Sequence, residues 1–168
     1  ERKSSIFSDY RICLTKRDSQ KLNQIFKNKK NFIIPLSIQD KLRNFKTNEL
    51  KDYLLFVGGN FYGNVHGISW FIKNVMTKIE SKLVIIGKGM NKINLKTRSK
   101  KIYIYSKLKD LSNLYLNSKL VIAPIFFGSG MKTKIAEAAM YGKVTLGTNE
   151  SFIGYEKNKK FLGYECNN

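Results

Sequence analysis

A chain of 168 residues that is 42% hydrophobic and 12% aromatic has the composition of a folded globular protein rather than a disordered one, with room for one good core, or one core and part of a second. Its net charge is +19, but the lysines are spread along the whole chain and arginine is scarce. That distribution argues against base-reading nucleic-acid recognition and favours an anionic substrate or an anionic membrane surface.

Cys13 and Cys166 stand far apart, without metal-ligand or C-x-x-C spacing, which excludes a disulfide framework and fits a reducing compartment. No charged-then-apolar signal pattern opens the sequence. The longest apolar run, LVIAPIFFG (120–128), is broken by Pro124 and falls well short of the roughly 20 residues of a membrane span. A soluble protein, at most peripheral to a membrane, is expected.

In chain order, YRICLT (10–15) reads as a strand, SQKLNQIFKN (19–28) as a helix, and NFIIPLS (31–37) as a strand ended by Pro35. A polar stretch over 37–50 reads as a linker. A longer alternation then begins: YLLFVGG (53–59) is a strand running into a glycine turn, GNFYGNVHG. GISWFIKNVMTKIE (67–80) carries Ile68, Phe71, Ile72, Val75 and Ile79 as a helical stripe. KLVIIGKG, KIYIYS, KLVIAP and KVTLGT are further buried-type strands, with helices expected over 110–117 and 131–141. This alternation predicts an α/β fold: a Rossmann-like parallel sheet flanked by helices, preceded by a βαβ unit too small to bury its own core. The expected division is a βαβ fragment over 1–36, the linker, and a larger domain over 51–168.

In such a sheet ligands bind beyond the carboxyl ends of the strands. Gly58 and Gly59 lie there, as do Gly87 and Gly89, but neither turn completes a P-loop or a G-x-G-x-x-G fingerprint, which argues against a dehydrogenase. His66, the single histidine, has no carboxylate paired with it by spacing.

GSGMKTKIAEAAMYGK (128–143) carries more. It places a flexible turn and two lysines at the start of a helix, where free amides and the helix dipole make an anion site. Gly128 and Gly130 permit close approach, Lys132 and Lys134 add charge, and Glu137 falls one turn further on the face of Thr133 and Lys134. The other reading is that Ser129 caps the helix while Lys134 and Glu137 form an ordinary surface pair. The residues alone leave the two open.

The run LLFVGGNFYGNVHGISWFIKNV…KLVIIGKG…LSNLYLNSKLVIAPIFFGSGMKTKIAEAAMYGKVTLGT resembles the donor-nucleotide domain of group 1 glycosyltransferases, enzymes of the two-domain GT-B architecture, with landmarks in order over residues 53–155. Segment 10–37 is similar to the last βαβ unit of that family's acceptor-binding domain. The resemblance implies a retaining transfer of a sugar from a nucleotide-sugar (UDP- or GDP-linked) to a glycan or lipid-linked acceptor, as in cell-envelope polysaccharide synthesis. The acceptor would be held by the rest of the N-terminal domain. No cofactor and no metal are implied, and the setting would be cytoplasmic, at or near the inner face of the membrane.

By the same resemblance Glu137 holds the donor ribose, and the amides of Met131, Lys132 and Thr133 lie by the diphosphate; Gly58, Gly59 and Gly130 join this donor site from their places beyond the strand ends. Ser106 and Leu108 flank the base. Ser129 stands where the family has a glutamate against the donor sugar. The Arg/Lys pair that many members carry in the first glycine turn is absent, with Asn60 and His66 near its place, so Lys132 and Lys134 are expected to supply the charge. The chain alone is expected to bind nucleotide weakly and transfer nothing. A non-catalytic basic module that grips polyanions or anionic membrane is the alternative from another class.

Overall fold

The computed structural model describes residues 7–26, 30–40, 51–95 and 99–166. Most of the expected linker, residues 41–50, and the last residues of the first expected helix lie outside them. Strands β1 (Tyr10–Cys13) and β2 (Lys30–Ile33) pair in parallel around helix α1 (Lys16–Ile25). Thr15 begins α1: its hydroxyl accepts from the Asp18 amide and donates to Asp18 Oδ2, a reciprocal cap that starts the helix three residues before the predicted position. At the other end Arg11, buried on β1, donates to the carbonyls of Leu22 and Phe26, which satisfies groups a helix C-terminus leaves open. The outer face of this unit is apolar, with Tyr10, Ile12 and Phe32 exposed.

The larger unit contains β3 (Tyr53–Val57), α2 (Tyr62–Asn74), β4 (Lys82–Ile86), β5 (Ile102–Tyr105), α3 (Ser112–Asn117), β6 (Leu120–Ala123), α4 (Thr133–Met140), β7 (Thr145–Gly147), α5 (Lys159–Leu162) and β8 (Gly163–Glu165). Short 3-10 turns at Met90–Lys92 and Asn149–Phe152 interrupt the connections. Its six strands form one parallel sheet in the order β5-β4-β3-β6-β7-β8. The direction of winding reverses between β3 and β6, the doubly wound arrangement that opens a crevice at that point.

The apolar strands predict burial on two faces, and alternate side chains divide accordingly. Leu54, Phe56, Leu83 and Ile85 pack under Ile68, Ile72 and Met76 of the α2 segment. Tyr53, Leu55, Val84 and Ile86 pack under Tyr115, Leu116, Ala138 and Tyr141 on α3 and α4. Each such side chain, fully buried, contributes about 1.5–3 kcal/mol. A third cluster, Ala123, Ile125, Met131, Ile135, Phe152 and Tyr155, receives Leu36 from the chain that follows β2. Among the described residues no helix is long and apolar enough to cross a membrane.

Helix α2 begins at Tyr62, five residues before the predicted start at Gly67, so the second half of the supposed glycine turn is helical, and it ends at Asn74, short of Val75 and Ile79. The reason is packing. A Cβ on Gly67 would lie 1.6 Å from the Pro124 carbonyl oxygen, and one on Gly63 2.9 Å from that of Phe127. These glycines serve the approach of the helix to the loop after β6 rather than a turn. Segment α5–β8 has no apolar alternation and was not predicted.

Gly67→Ala tests this approach. Alanine favours an isolated helix by about 1 kcal/mol, but the overlap with Pro124 forces α2 off the loop. A net loss of about 3 kcal/mol or more in urea denaturation is expected. A neutral or stabilised variant would show that the helix does not sit this close.

Candidate functional site

The carboxyl ends of β3, β4 and β5 are joined by their own loops. The Gly58 amide donates to the Ile86 carbonyl and that of Asn60 to the Lys88 carbonyl, at 2.8 and 2.9 Å. A Cβ on Gly87 would lie 2.0 Å from the Gly58 oxygen, so the two glycine turns touch through backbone. The Gly89 amide donates to Ser106 Oγ at 3.3 Å, which brings the loop after β5 into the same rim. Leu108, two residues on, is exposed.

On the other side of the crevice β6 runs through Pro124 and the 125–132 loop into α4. Lys132 is the N-cap of α4, and among the described residues no side-chain hydrogen bond caps the helix there. Ser129 is exposed, three residues before the cap. The surface pair is absent as well. Lys134 turns inward, 8% exposed, and its Nζ donates to Asn64 Oδ1 at 2.8 Å. It also stands 4.4 Å from the centre of the Phe56 ring. Asn64 Nδ2 in turn donates to the Gly59 carbonyl at 3.1 Å. Lys134 thus joins α4 to the first glycine turn across the point where the sheet reverses. Among the described residues no carboxylate pairs with its amine. Burial, reinforced by the charge on Lys132 and opposed by Glu137, pulls the amine down to about 7.

Glu137 sits one turn further along α4, half-buried, with Oε2 accepting from the Tyr115 hydroxyl at 2.8 Å. The Tyr115 ring stacks on Tyr141 with centroids 4.9 Å apart and planes 14° from parallel. Tyr141 shares a hydrogen bond with Ser112, whose hydroxyl donates to Asp110. These tyrosines were missed because each reads as an apolar helix position; only their spacing from the Glu137 motif could have drawn notice.

The remaining expected residues are engaged elsewhere. The Gly130 amide donates to Asp18 Oδ2 at 3.1 Å. The Lys132 amine lies against Glu150 at 3.1 Å and the Gly130 carbonyl at 3.1 Å. Arg17 makes two hydrogen bonds to Glu150, at 2.6 and 2.8 Å, and one to the Gly128 carbonyl. The Arg17 hydrogen bond holds the Glu150 carboxyl below its ordinary value, against the opposing effect of burial and with help from Lys132. Of the two lysines expected to supply charge to a ligand, Lys132 is therefore committed to a clasp, while Lys134 is buried between Asn64 and the Phe56 ring. Met131 faces the third core cluster, and Thr133 is exposed at the start of α4.

His66 is exposed in a group of rings, 5.1 Å from Phe127 and 5.6 Å from Phe126 by centroid. A large cavity of about 1130 Å³ lies elsewhere, between the βαβ unit and the outer face of α4. Of the sequence-predicted residues only Met131 lines it. Among the described residues no three histidine, cysteine, aspartate or glutamate side chains converge as metal ligands would.

The buried amine makes a testable contribution to stability. With its value lowered from 10.5 to about 7, the folded chain binds fewer protons at this group than the unfolded chain across that interval. Stability from Lys134 therefore rises with pH over that window, and the penalty is complete below it. In Lys134→Met the rise in melting temperature between about pH 7 and about pH 10 should shrink by several degrees, at roughly 2–4 °C per kcal/mol. Identical profiles for the two chains would show that the charge at Lys134 costs nothing.

The family model described as "Glycosyl transferases group 1" matches residues 51–161. No curated protein sequence matches this one. Among solved structures, a glycosyltransferase from Rickettsia africae superposes with a TM-score of 0.72 at 15% identity, covering 94% of this chain and 49% of its own. The pneumococcal O-GlcNAc transferase GtfA, in complex with UDP and GlcNAc, gives 0.61 at 17% identity over 84% of this chain and 30% of its own. A TarM variant of S. aureus, in complex with fondaparinux, alpha-GlcNAc-glycerol and UDP, gives 0.62 at 13% identity over 82% and 29%. The chain thus spans less than half the length of each of these three, and at these identities the likeness is one of fold: Rossmann-like, as in GT-B glycosyltransferases.

Proposed function

Because the chain belongs to the group 1 glycosyl transferases, whose model covers residues 51–161, we propose that it is the donor-binding part of an enzyme that moves a sugar from a nucleoside diphosphate to an acceptor hydroxyl. The observation that carries this reading is Lys134: a buried amine, without a carboxylate among its described partners, at the reversal point of a parallel sheet. Burying a cation without an anion is costly, and a bound diphosphate is the anion that relieves the cost. The α4 amides, which no side chain caps among the described residues, point to the same ligand.

In this reading the backbone of Gly58, Gly59 and the first turn of α4 surrounds the diphosphate, and Lys134 supplies the charge. Glu137 holds the ribose, and Ser106 and Leu108 flank the base. Ser129 lies nearest the sugar. As the bond from the sugar to the diphosphate breaks, negative charge grows on the leaving oxygen, and fixed amides and a desolvated amine stabilise it without reorganising. A sugar bound to its diphosphate already carries the charge that draws a proton onto Lys134.

UDP is the nucleotide we assign first, because GtfA and the TarM variant are both in complex with it. Retention at the anomeric carbon, a glycan or lipid-linked acceptor held by further N-terminal sequence, and work at the inner face of the cell membrane complete the proposal. These rest on the family and on the net charge of +19. The βαβ unit belongs in this reading to the acceptor-binding half.

Calorimetric titration of the chain with UDP, GDP and ADP tests the reading. One diphosphate should bind, and Glu137→Ala should weaken it roughly tenfold or more. If no nucleotide binds at millimolar concentration while mixed-sequence DNA binds with a steep salt dependence, the basic-module alternative replaces it.

A further inference from the structure

A carboxylate that must grip two sugar hydroxyls needs a fixed plane as well as a fixed position, because each oxygen accepts along its own lone-pair directions. Glu137 is only half-buried, so the protein interior does not fix its plane by packing alone. The Tyr115 hydroxyl supplies the constraint, donating to Oε2 at 2.8 Å.

Tyr115 is itself immobile. It is 1% exposed, and its ring is stacked on that of Tyr141. The Tyr115 hydrogen bond joins α3 to α4 and ends on one oxygen of Glu137. Burial first, and then the charge and hydrogen bond of Glu137, push the Tyr115 phenol far above its ordinary value. It therefore keeps its proton and remains a donor at every working pH.

We propose that Tyr115 is the positioning residue for Glu137: its phenol holds one carboxylate oxygen and thereby turns the other toward the ribose hydroxyls, which makes the site selective for a ribonucleotide. This rests on the reading that Glu137 binds the donor ribose. Tyr115 touches no substrate in this account; it acts through the carboxylate. The chemical feature it selects is the vicinal pair of hydroxyls on the ribose, whatever base and sugar the donor carries.

The test compares UDP with 2′,3′-dideoxy-UDP on wild-type chain, Tyr115→Phe and Tyr141→Phe by calorimetry. Tyr115→Phe keeps the stacked ring and removes only the hydroxyl, and circular dichroism of each variant checks that it is folded. Wild type should prefer UDP roughly tenfold or more, since a site built for a hydroxyl penalises its loss. In Tyr115→Phe the preference should fall to within roughly threefold. Tyr141→Phe removes a phenol from the same stack without touching Glu137 and should keep the wild-type ratio. A Tyr115→Phe ratio equal to wild type would overturn the inference and leave the donor reading standing. An equal fall in both variants would also overturn it, because it would assign the effect to the stack as a whole. If wild type binds UDP without preference, the ribose role of Glu137 fails and takes this inference with it.

Discussion

The closeness of α2 to the loop after β6 is the constraint on which the crevice depends. Gly63 and Gly67 let the helix rest against the carbonyls of Phe127 and Pro124, and only at that distance does Asn64 come within 2.8 Å of the Lys134 amine. A helix displaced by the thickness of one methyl group would leave Lys134 to find water, and it would be an ordinary charged side chain. The glycine rows therefore act on electrostatics at one remove. They decide whether a cation is solvated or buried, and so whether the crevice has an unmet demand for an anion.

The leading βαβ unit sets the other wall. With 12 acidic residues against 31 basic ones, carboxylates are scarce, yet two of them meet the 128–132 loop. Asp18 takes the Gly130 amide, and Glu150 takes Arg17 and Lys132 together. The Asp18 oxygen that receives the loop amide is also the one bonded to Thr15 at the cap of α1. The loop is thus shaped by groups from the helix start opposite, and Lys132 is spent in holding it. This division of labour between two neighbouring lysines, one structural and one buried in the crevice, follows from helical geometry: residues two apart on α4 face different ways.

Much of the architecture was legible because it rests on local rules. The strands of the larger unit that fill both sheet faces are continuous apolar runs, and β3, β4 and β6 fall where YLLFV, KLVII and KLVIAP place them; β5 falls where KIYIYS places it but, lying at the sheet edge, is half exposed rather than buried as expected. The glycine-lysine stretch at 128–143 falls on the loop after β6 and on α4, where a helix was expected. What was not legible depends on contacts distant in sequence. The start of α2 was missed since Gly63 and Gly67 look like turn residues until the loop against which they pack is known. The partners of Lys132 and Lys134 were not assignable, since Glu150 and Asn64 come from separate elements. Tyr115 and Tyr141 looked like core and nothing more. The third core cluster and the α5–β8 edge have no periodic pattern to read.

Strand β5 is the outermost strand on its side of the sheet, with Tyr103 and Tyr105 exposed along it. An open edge bearing aromatic residues is a template on which another chain's strand could add. Here Lys100 and Lys101 precede the strand, and Lys107 and Lys109 follow it. Two copies approaching edge to edge would bring these like charges together before a single ladder hydrogen bond formed. Part of the chain's large positive charge thus stands beside an open margin of the sheet, where it opposes the addition of a like-charged strand.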